Sequence, residues 1–218
     1  HSCEAYIARL IAKGYKVAIC EQTEEPEKGK KIVEREIVRI ITPGTVIENT
    51  MLDETKNNFI CGIYREGESA AICFIDISTG EASACEFSGK DISEQIMGEI
   101  SKFSPSEAIV SREVYEDEEI VAHMRENLGM HVEMRDCIFE KETALSSAKD
   151  HFCSEELEAV GIPAEGKIIN CVGGLLNYIH ETQKTNLSHI NKVSIYSREN
   201  FMLLDETARR NLEISETM

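Results

Sequence analysis

Hydrophobic and polar positions follow a helical spacing and then a strand spacing in the first part of the chain. Apolar residues three or four positions apart predict a short helix that ends at Gly14, with Ser2 as its N-cap. Two β-rich runs follow, at 16–20 and 33–42. One helix and two strands bury too little apolar surface to fold alone. We therefore expect residues 1–50 to be the end of a domain that begins outside this sequence.

The middle of the chain predicts an antiparallel sheet followed by alternating helices and strands. Three β-rich runs, at 59–64, 70–75 and 81–87, are separated by turn residues typical of a meander. The periodicity beyond them predicts a helix, a strand, a helix, a strand and a helix, at 92–103, 107–110, 116–128, 131–134 and 139–153. This order is that of a ribonuclease H-like α/β layer, which is the fold class predicted for residues 51–162.

Residues 163–218 follow a predominantly helical pattern. A stripe of apolar positions predicts a helix that runs to about Lys184, and a final helix is predicted near 207–214. The stripe has no obvious partner in the preceding pattern, so we expect further helices to cover it. The interpretation is a separate α-helical domain that is cut at its end.

The charge changes this picture only when it is located along the chain. The 218 residues carry 23 Lys and Arg against 40 Asp and Glu, a net charge of −17 that disfavours contact with polyphosphates. Residues 51–162 hold 9 basic and 25 acidic side chains, whereas the two flanks are nearly balanced. The acidic excess therefore marks a middle domain that is suited to solvent or to a basic protein partner.

Cysteine and apolar spacing exclude several classes of protein. The eight cysteines are never closer than twelve residues and form no Cys-x-x-Cys pair, so neither a disulfide framework nor a zinc site is predicted. Free thiols are typical of a cytoplasmic protein. The sequence has no signal peptide and no run of eighteen apolar residues, so no membrane association is expected.

One residue suggests metal-dependent chemistry. Asp76 ends an apolar strand, where ribonuclease H-like nucleases place a metal-binding carboxylate. Two-metal catalysis needs several converging carboxylates, and the spacing of Glu81, Glu99 and Asp136 does not select them. Asp76 can equally cap the turn formed by residues 78–80. We favour the structural turn and predict no catalytic and no metal-binding residue.

Five ordered segments carry a resemblance to a known family. They are Val17-Ala-Ile-Cys-Glu-Gln22, the stretch from Val33 to Thr45, Asp76-Ile-Ser-Thr-Gly80, Glu181-Thr-Gln-Lys184 with Leu187-Ser-His-Ile190, and Leu204-Asp-Glu-Thr-Ala-Arg-Arg-Asn-Leu-Glu213. In this order and spacing the chain resembles the bacterial MutS family of DNA mismatch repair proteins. The resemblance spans nearly the whole sequence.

The resemblance implies an assignment for each region. Residues 1–50 are similar to the C-terminal part of the mismatch-recognition domain, 51–162 to the connector domain, and 163–218 to the start of the core or lever domain. The family implies a homodimer that binds mismatched double-stranded DNA, uses ATP and magnesium ion, and recruits MutL. The connector is expected to transmit motion between the DNA-reading and core domains.

Two family motifs are missing from this sequence. The family stacks an aromatic ring on the mispaired base through a Phe-x-Glu motif, and no Phe here is followed by Glu two residues later. No Gly-x-x-x-x-Gly-Lys-Ser/Thr loop is present to bind phosphates, because Lys28-Gly29-Lys30-Lys31 lacks the first glycine. We expect a non-catalytic fragment that holds no cofactor of its own.

A local basic cluster is the candidate for DNA contact. In the resembled domain this region lies near the DNA backbone, which makes phosphate contacts plausible for Lys28, Lys30, Lys31 and Arg35, with Arg39 nearby. Interleaved glutamates offset the charge, so a solvated surface is an equal alternative. Two other functions remain open: a ribonuclease H-like nuclease that uses Asp76, and a protein-interaction module of unrelated function.

Overall fold

Buried apolar runs form the centre of a six-stranded mixed sheet. The computed structural model describes residues 3–23, 34–47, 51–52, 56–185 and 187–197. In β4 every side chain from Ala70 to Asp76 is buried, which is expected of a strand covered on both faces. The six strands are β3 (Phe59–Glu66), β4 (Ser69–Asp76), β5 (Ala82–Ser88), β6 (Glu107–Val110), β7 (His131–Met134) and β8 (Ser194–Ile195).

The strand order of this sheet is β7-β6-β3-β4-β5-β8. The meander β3-β4-β5 is antiparallel, whereas β6 and β7 run parallel to β3 and extend the sheet on that side. An antiparallel meander with parallel strands added through helical crossovers is the predicted ribonuclease H-like arrangement. The predicted mixed α/β fold class is confirmed.

Helices cover both faces of the sheet and create two cores. One face packs against α2 (Ile92–Phe103), α3 (Arg112–Tyr115) and α4 (Glu118–Ala122), which a π-helical turn at His123–Asn127 extends. The other face packs against α6 (Ile168–Gln183), on which α5 (Lys141–Phe152) lies. Short 3₁₀ turns connect these elements at Pro43–Thr45, Asp136–Phe139 and Leu157–Val160.

The N-terminal segment, residues 3–47 as far as they are described, forms a second, smaller sheet. It consists of α1 (Glu4–Ile11) followed by the antiparallel strands β1 (Val17–Gln22) and β2 (Arg35–Ile41). Its own buried cluster contains only Ile7, Ile41 and Val46. A core this small agrees with the expectation that the segment depends on further contacts.

Helix α6 differs from its predicted assignment to a separate domain after residue 162. Thirteen of its residues are buried, and the sheet itself covers the apolar stripe for which further helices were expected. The Cys171 thiol donates to the Gly62 carbonyl oxygen on β3 at 3.0 Å. Strand β8 then pairs with β5. The sheet-centred unit therefore continues beyond the predicted boundary, and the helix predicted near 207–214 lies outside the described residues.

Other predictions are corrected in detail. The helix predicted at 116–128 consists of α4 and the π-helical turn, and it begins at Glu118 because Asp117 caps α4 by accepting from the Ile120 amide. The short helix α3, at Arg112–Tyr115, precedes it and was not predicted. Cys61, Cys73, Cys85 and Cys171 are buried free thiols. Burial raises the pKa of Cys61 and Cys171, so these side chains stay neutral within the core.

Within the described residues, no helix has the length and apolarity needed to cross a membrane.

Candidate functional site at the junction of the two sheets

A buried carboxylate lies where the N-terminal segment meets the central sheet. Glu107 is the first residue of β6 and is fully buried. Its Oε2 accepts hydrogen bonds from the Thr42 hydroxyl and from the Gly44 amide, the latter at 3.0 Å. Its Oε1 accepts from the Tyr178 hydroxyl at 2.8 Å. Because a buried carboxylate needs such donors, the segment and α6 both stabilise this residue.

The turn after β2 is shaped to fit against Glu107. Thr42 and Thr45 form a capping box in which the Thr42 amide donates to the Thr45 hydroxyl at 2.9 Å, and Pro43 occupies the first turn. A Cβ atom at Gly44 would lie 2.8 Å from the Cβ atoms of both Glu107 and Ile60. Only glycine allows the turn to approach β3 and β6 this closely.

Lys16 completes a chain of polar contacts through the junction. Its ammonium group forms an ion pair with Glu133 on β7 and donates to the Tyr178 hydroxyl at 3.0 Å. Burial of the Glu133 carboxyl opposes ionisation, but hydrogen bonds and charges from Lys16 and Arg135 lower its pKa below the usual range. Burial, with the nearby charge of Glu107, raises the pKa of Tyr178 well above that of a free tyrosine. We call Lys16, Thr42, Gly44, Glu107, Glu133 and Tyr178 the junction network.

The C-terminal end of α6 also contacts strand β2. The Arg39 guanidinium donates to the Gln183 side-chain oxygen at 2.8 Å, and the Gln183 amide donates back to the Ile40 carbonyl oxygen at 3.2 Å. The Lys184 ammonium donates to the Ile37 carbonyl oxygen at 2.9 Å. Arg39, considered above with the basic cluster, therefore makes a structural contact within the chain. Helix α6 contacts both sheets.

A cleft of about 780 Å³ opens beside the junction network. The N-terminal segment lines one side with Lys13, Gly14 and Pro43, and the central unit lines the other side with Asn58 and His131. The Asn58 side chain donates to the Pro43 carbonyl oxygen at 3.1 Å and ties the floor of the cleft together. The two parts of the chain therefore share a concave surface as well as a buried contact.

Three side chains beside Lys16 have the chemistry of a metal-binding set. Strands β6 and β7 pair in parallel with Glu107 opposite His131, and Glu133 lies two residues further along β7. The potential ligand atoms of the three residues all lie within 4.8 Å of one another. This is the one such group among the described residues, and the sequence analysis did not anticipate it.

Asp76 has the contacts of a turn cap. The carboxylate is buried, and its Oδ1 accepts from the Ser78 amide at 2.8 Å and from the Ser78 hydroxyl at 2.6 Å. Its Oδ2 accepts from the Asn58 amide at 3.2 Å. Within the described part of the chain, Asp76 belongs to no group that could hold a metal, whether with Glu81, Glu99 or Asp136. The geometry fits the structural interpretation of Asp76.

Of the four predicted DNA-contacting residues, the structure describes only Arg35. Lys28, Lys30 and Lys31 lie outside the described residues. Arg35 is exposed at the start of β2, opposite Gln22 on β1. DNA contact by the basic cluster stays a prediction.

The junction network was not predicted from the sequence. The available signals were a Glu at the start of the apolar run 107–110 and the Thr-Pro-Gly-Thr turn at 42–45.

Comparisons with known proteins divide the chain at the same place as the two sheets. A family model described as MutS domain I matches residues 1–50, and one described as MutS domain II matches residues 58–191. The second match includes α6, in agreement with its packing on the central sheet.

Curated relatives match the whole chain. Proteins named DNA mismatch repair protein MutS are 42% identical to it in Acetivibrio thermocellus, 40% in Ruminiclostridium cellulolyticum and 41% in Clostridium tetani. Each alignment covers 100% of this chain but only 25%, 25% and 24% of the respective relative. The chain thus spans about a quarter of the length of these relatives.

Proposed function

Because the chain belongs to the MutS family of DNA mismatch repair proteins, we propose that it is the part that couples the mismatch-recognition domain to the rest of the protein. Domain I is represented by the N-terminal segment, and domain II, the connector, by the central sheet with its helices. In this role the chain is not itself an enzyme, and it transmits displacement between its neighbours.

The junction network is the observation that carries this proposal. Glu107 is fully buried and accepts from three donors that belong to the N-terminal segment and to α6. Moving the segment away from the sheet would remove Thr42 and Gly44, two of the three donors to this charge, in a poorly solvated place, at a cost of several kcal/mol. The segment and the connector therefore move together until that contact is broken.

The whole protein supplies the other parts of the mechanism. It binds mismatched double-stranded DNA as a homodimer, with Lys28, Lys30, Lys31 and Arg35 near the phosphates, and it uses ATP and magnesium ion in a domain outside this chain. Nucleotide-driven motion of the core displaces the connector and exposes a surface for MutL in the cytoplasm. The names of the relatives support the mismatch-repair role, and the acidic excess of residues 51–162 suits a protein partner rather than DNA.

The test uses the full-length protein with Glu107→Gln or Tyr178→Phe. We expect affinity for a mismatched duplex without nucleotide to change by less than about threefold, and ATP-dependent capture of MutL on that duplex to fall about tenfold, a weakening of about 1.4 kcal/mol. The matched control is Glu142→Gln on the exposed side of α5, which should alter neither. Unchanged MutL capture by both junction variants would refute the coupling role.

A further inference from the structure

The group formed by Glu107, His131 and Glu133 offers one imidazole and two carboxylates to a single point. Adjacent parallel strands hold them, and their ligand atoms already lie within 4.8 Å of one another. Zn²⁺ and Mn²⁺ bind such mixed nitrogen and oxygen sets at about 2.0–2.2 Å, so side-chain shifts of about 1 Å would close the group around one ion.

Each of the three residues retains a position for a ligand bond. Oε1 of Glu107 accepts one hydrogen bond, from Tyr178, and a carboxylate oxygen can accept two. The His131 ring makes no hydrogen bond with any residue in the described part of the chain and is only half-buried. Each carboxylate oxygen of Glu133 accepts from one donor, Oε2 from the Lys16 ammonium and Oε1 from the Arg135 guanidinium, so each keeps a second acceptor position.

Two cations contact Glu133: the Lys16 ammonium at Oε2 and the Arg135 guanidinium at Oε1, the latter at 2.7 Å. Lys16 also contacts the Tyr178 hydroxyl, and its side chain is 31% exposed against 23% for Glu133, so water reaches the pair. Lys16 belongs to the N-terminal segment, whereas the three potential ligands belong to the central sheet. Withdrawal of the segment would remove the Lys16 charge and leave the ligands behind, with Arg135 still paired to Oε1 of Glu133.

We propose that Glu107, His131 and Glu133 form a binding site for a divalent transition metal, and that Lys16 occupies it as an internal cation while the N-terminal segment is docked. Lysine and metal ion then compete for the Glu133 carboxylate. A bound metal would oppose redocking of the segment.

Mn²⁺ is the probe, because exposed cysteines such as Cys3 and Cys137 would bind Zn²⁺ elsewhere. The complete 218-residue chain is titrated, and free Mn²⁺ is followed by electron paramagnetic resonance. Lys16→Met, which keeps an unbranched side chain but removes the charge, should bind one Mn²⁺ at least tenfold more tightly than the unmodified chain. Adding His131→Asn or Glu133→Gln to Lys16→Met should remove the gain.

Two results would overturn the proposal. One is equal Mn²⁺ affinity for the unmodified chain and Lys16→Met, and the other is a gain that survives both ligand substitutions. Lys16→Gln serves if Lys16→Met does not fold. In the unmodified chain, Mn²⁺ at millimolar concentration should broaden the amide resonances of residues 107, 131 and 133 first, and broadening centred elsewhere would contradict the site without any variant.

Discussion

Tyr178 on α6 donates a hydrogen bond of 2.8 Å to Glu107, the residue that the turn after β2 contacts from the other side. One carboxylate is therefore shared by the helix, the central sheet and the N-terminal segment. None of these three elements can shift without breaking a hydrogen bond to a buried charge. A displacement of any one of these elements therefore acts on the other two. The first prediction tests the contribution of the Tyr178 hydroxyl to this contact.

Tyr178→Phe should lower the free energy of unfolding by about 2 kcal/mol, because the Glu107 carboxylate loses one donor where water has little access. The ring itself still fills its buried position. Urea unfolding followed by circular dichroism measures the change. Tyr6→Phe, at a position that is 64% exposed, is the matched control and should stay within about 0.5 kcal/mol of the unmodified chain. Equal values for the two variants would show that the Tyr178 hydroxyl contributes nothing.

Gly44→Ala tests the close approach of the turn. The added methyl group would meet two Cβ atoms at 2.8 Å, and neither can rotate away. We expect a loss of about 1–3 kcal/mol, together with faster amide exchange in residues 41–46. Gly67→Ala is the comparison: its φ of +61° causes backbone strain of about 1–2 kcal/mol, but no atom lies within 4 Å of the new methyl group. Only Gly44→Ala should increase exchange at the junction.

Asp76→Ala should destabilise the turn after β4 without affecting any cleavage of nucleic acid. Four donors in residues 58, 78 and 79 lose their acceptor, which corresponds to about 2–3 kcal/mol at a buried site. The purified chain is incubated with single- and double-stranded DNA and RNA in Mg²⁺ or Mn²⁺. We expect no cleavage above the level of a mock preparation. Cleavage that Asp76→Asn abolishes would restore the nuclease hypothesis.

Much of the unit around the central sheet could be predicted from the spacing of apolar residues along the sequence alone. The bounds predicted for α2, β6 and β7 agree with the structure, since each has a clear apolar spacing and a turn signal at its end. Helix α6 was located correctly but assigned to the wrong unit. Its periodicity shows that a face is apolar, and no local signal shows that a sheet formed about one hundred residues earlier covers that face.

The candidate site could not be predicted for a related reason. Glu107 bonds to Thr42 and to Tyr178 across 65 and 71 positions of sequence, and such pairings depend on the register of strands that are themselves distant in the chain. The Thr-Pro-Gly-Thr sequence at 42–45 indicates a closely packed turn. It does not show that Glu107 is the residue against which the turn packs. The contact of Arg39 with Gln183 has the same origin, since the two residues are 144 positions apart in the sequence.

A pair of histidines predicts how stability depends on pH. His151 Nε2 donates to the Ile190 carbonyl oxygen at 2.8 Å, so in the neutral ring Nδ1 accepts from His180 Nε2 at 2.9 Å. Burial is the main cause that lowers the pKa of both histidines below the usual 6.5. The unfolded chain therefore takes up protons at a higher pH than the folded chain.

The sign of the effect follows from these lowered values. The stabilisation by the neutral pair is complete above pH 6.5 and is lost as the pH falls below it, so the free energy of unfolding should decrease between pH 7.5 and 5.5. His151→Gln should flatten this dependence, whereas Ser146→Gln, at an exposed position of the same helix, should leave the slope unchanged. Urea unfolding at pH 7.5, 6.5 and 5.5 measures the slopes. The same slope for His151→Gln as for the unmodified chain would assign the pH dependence to other groups.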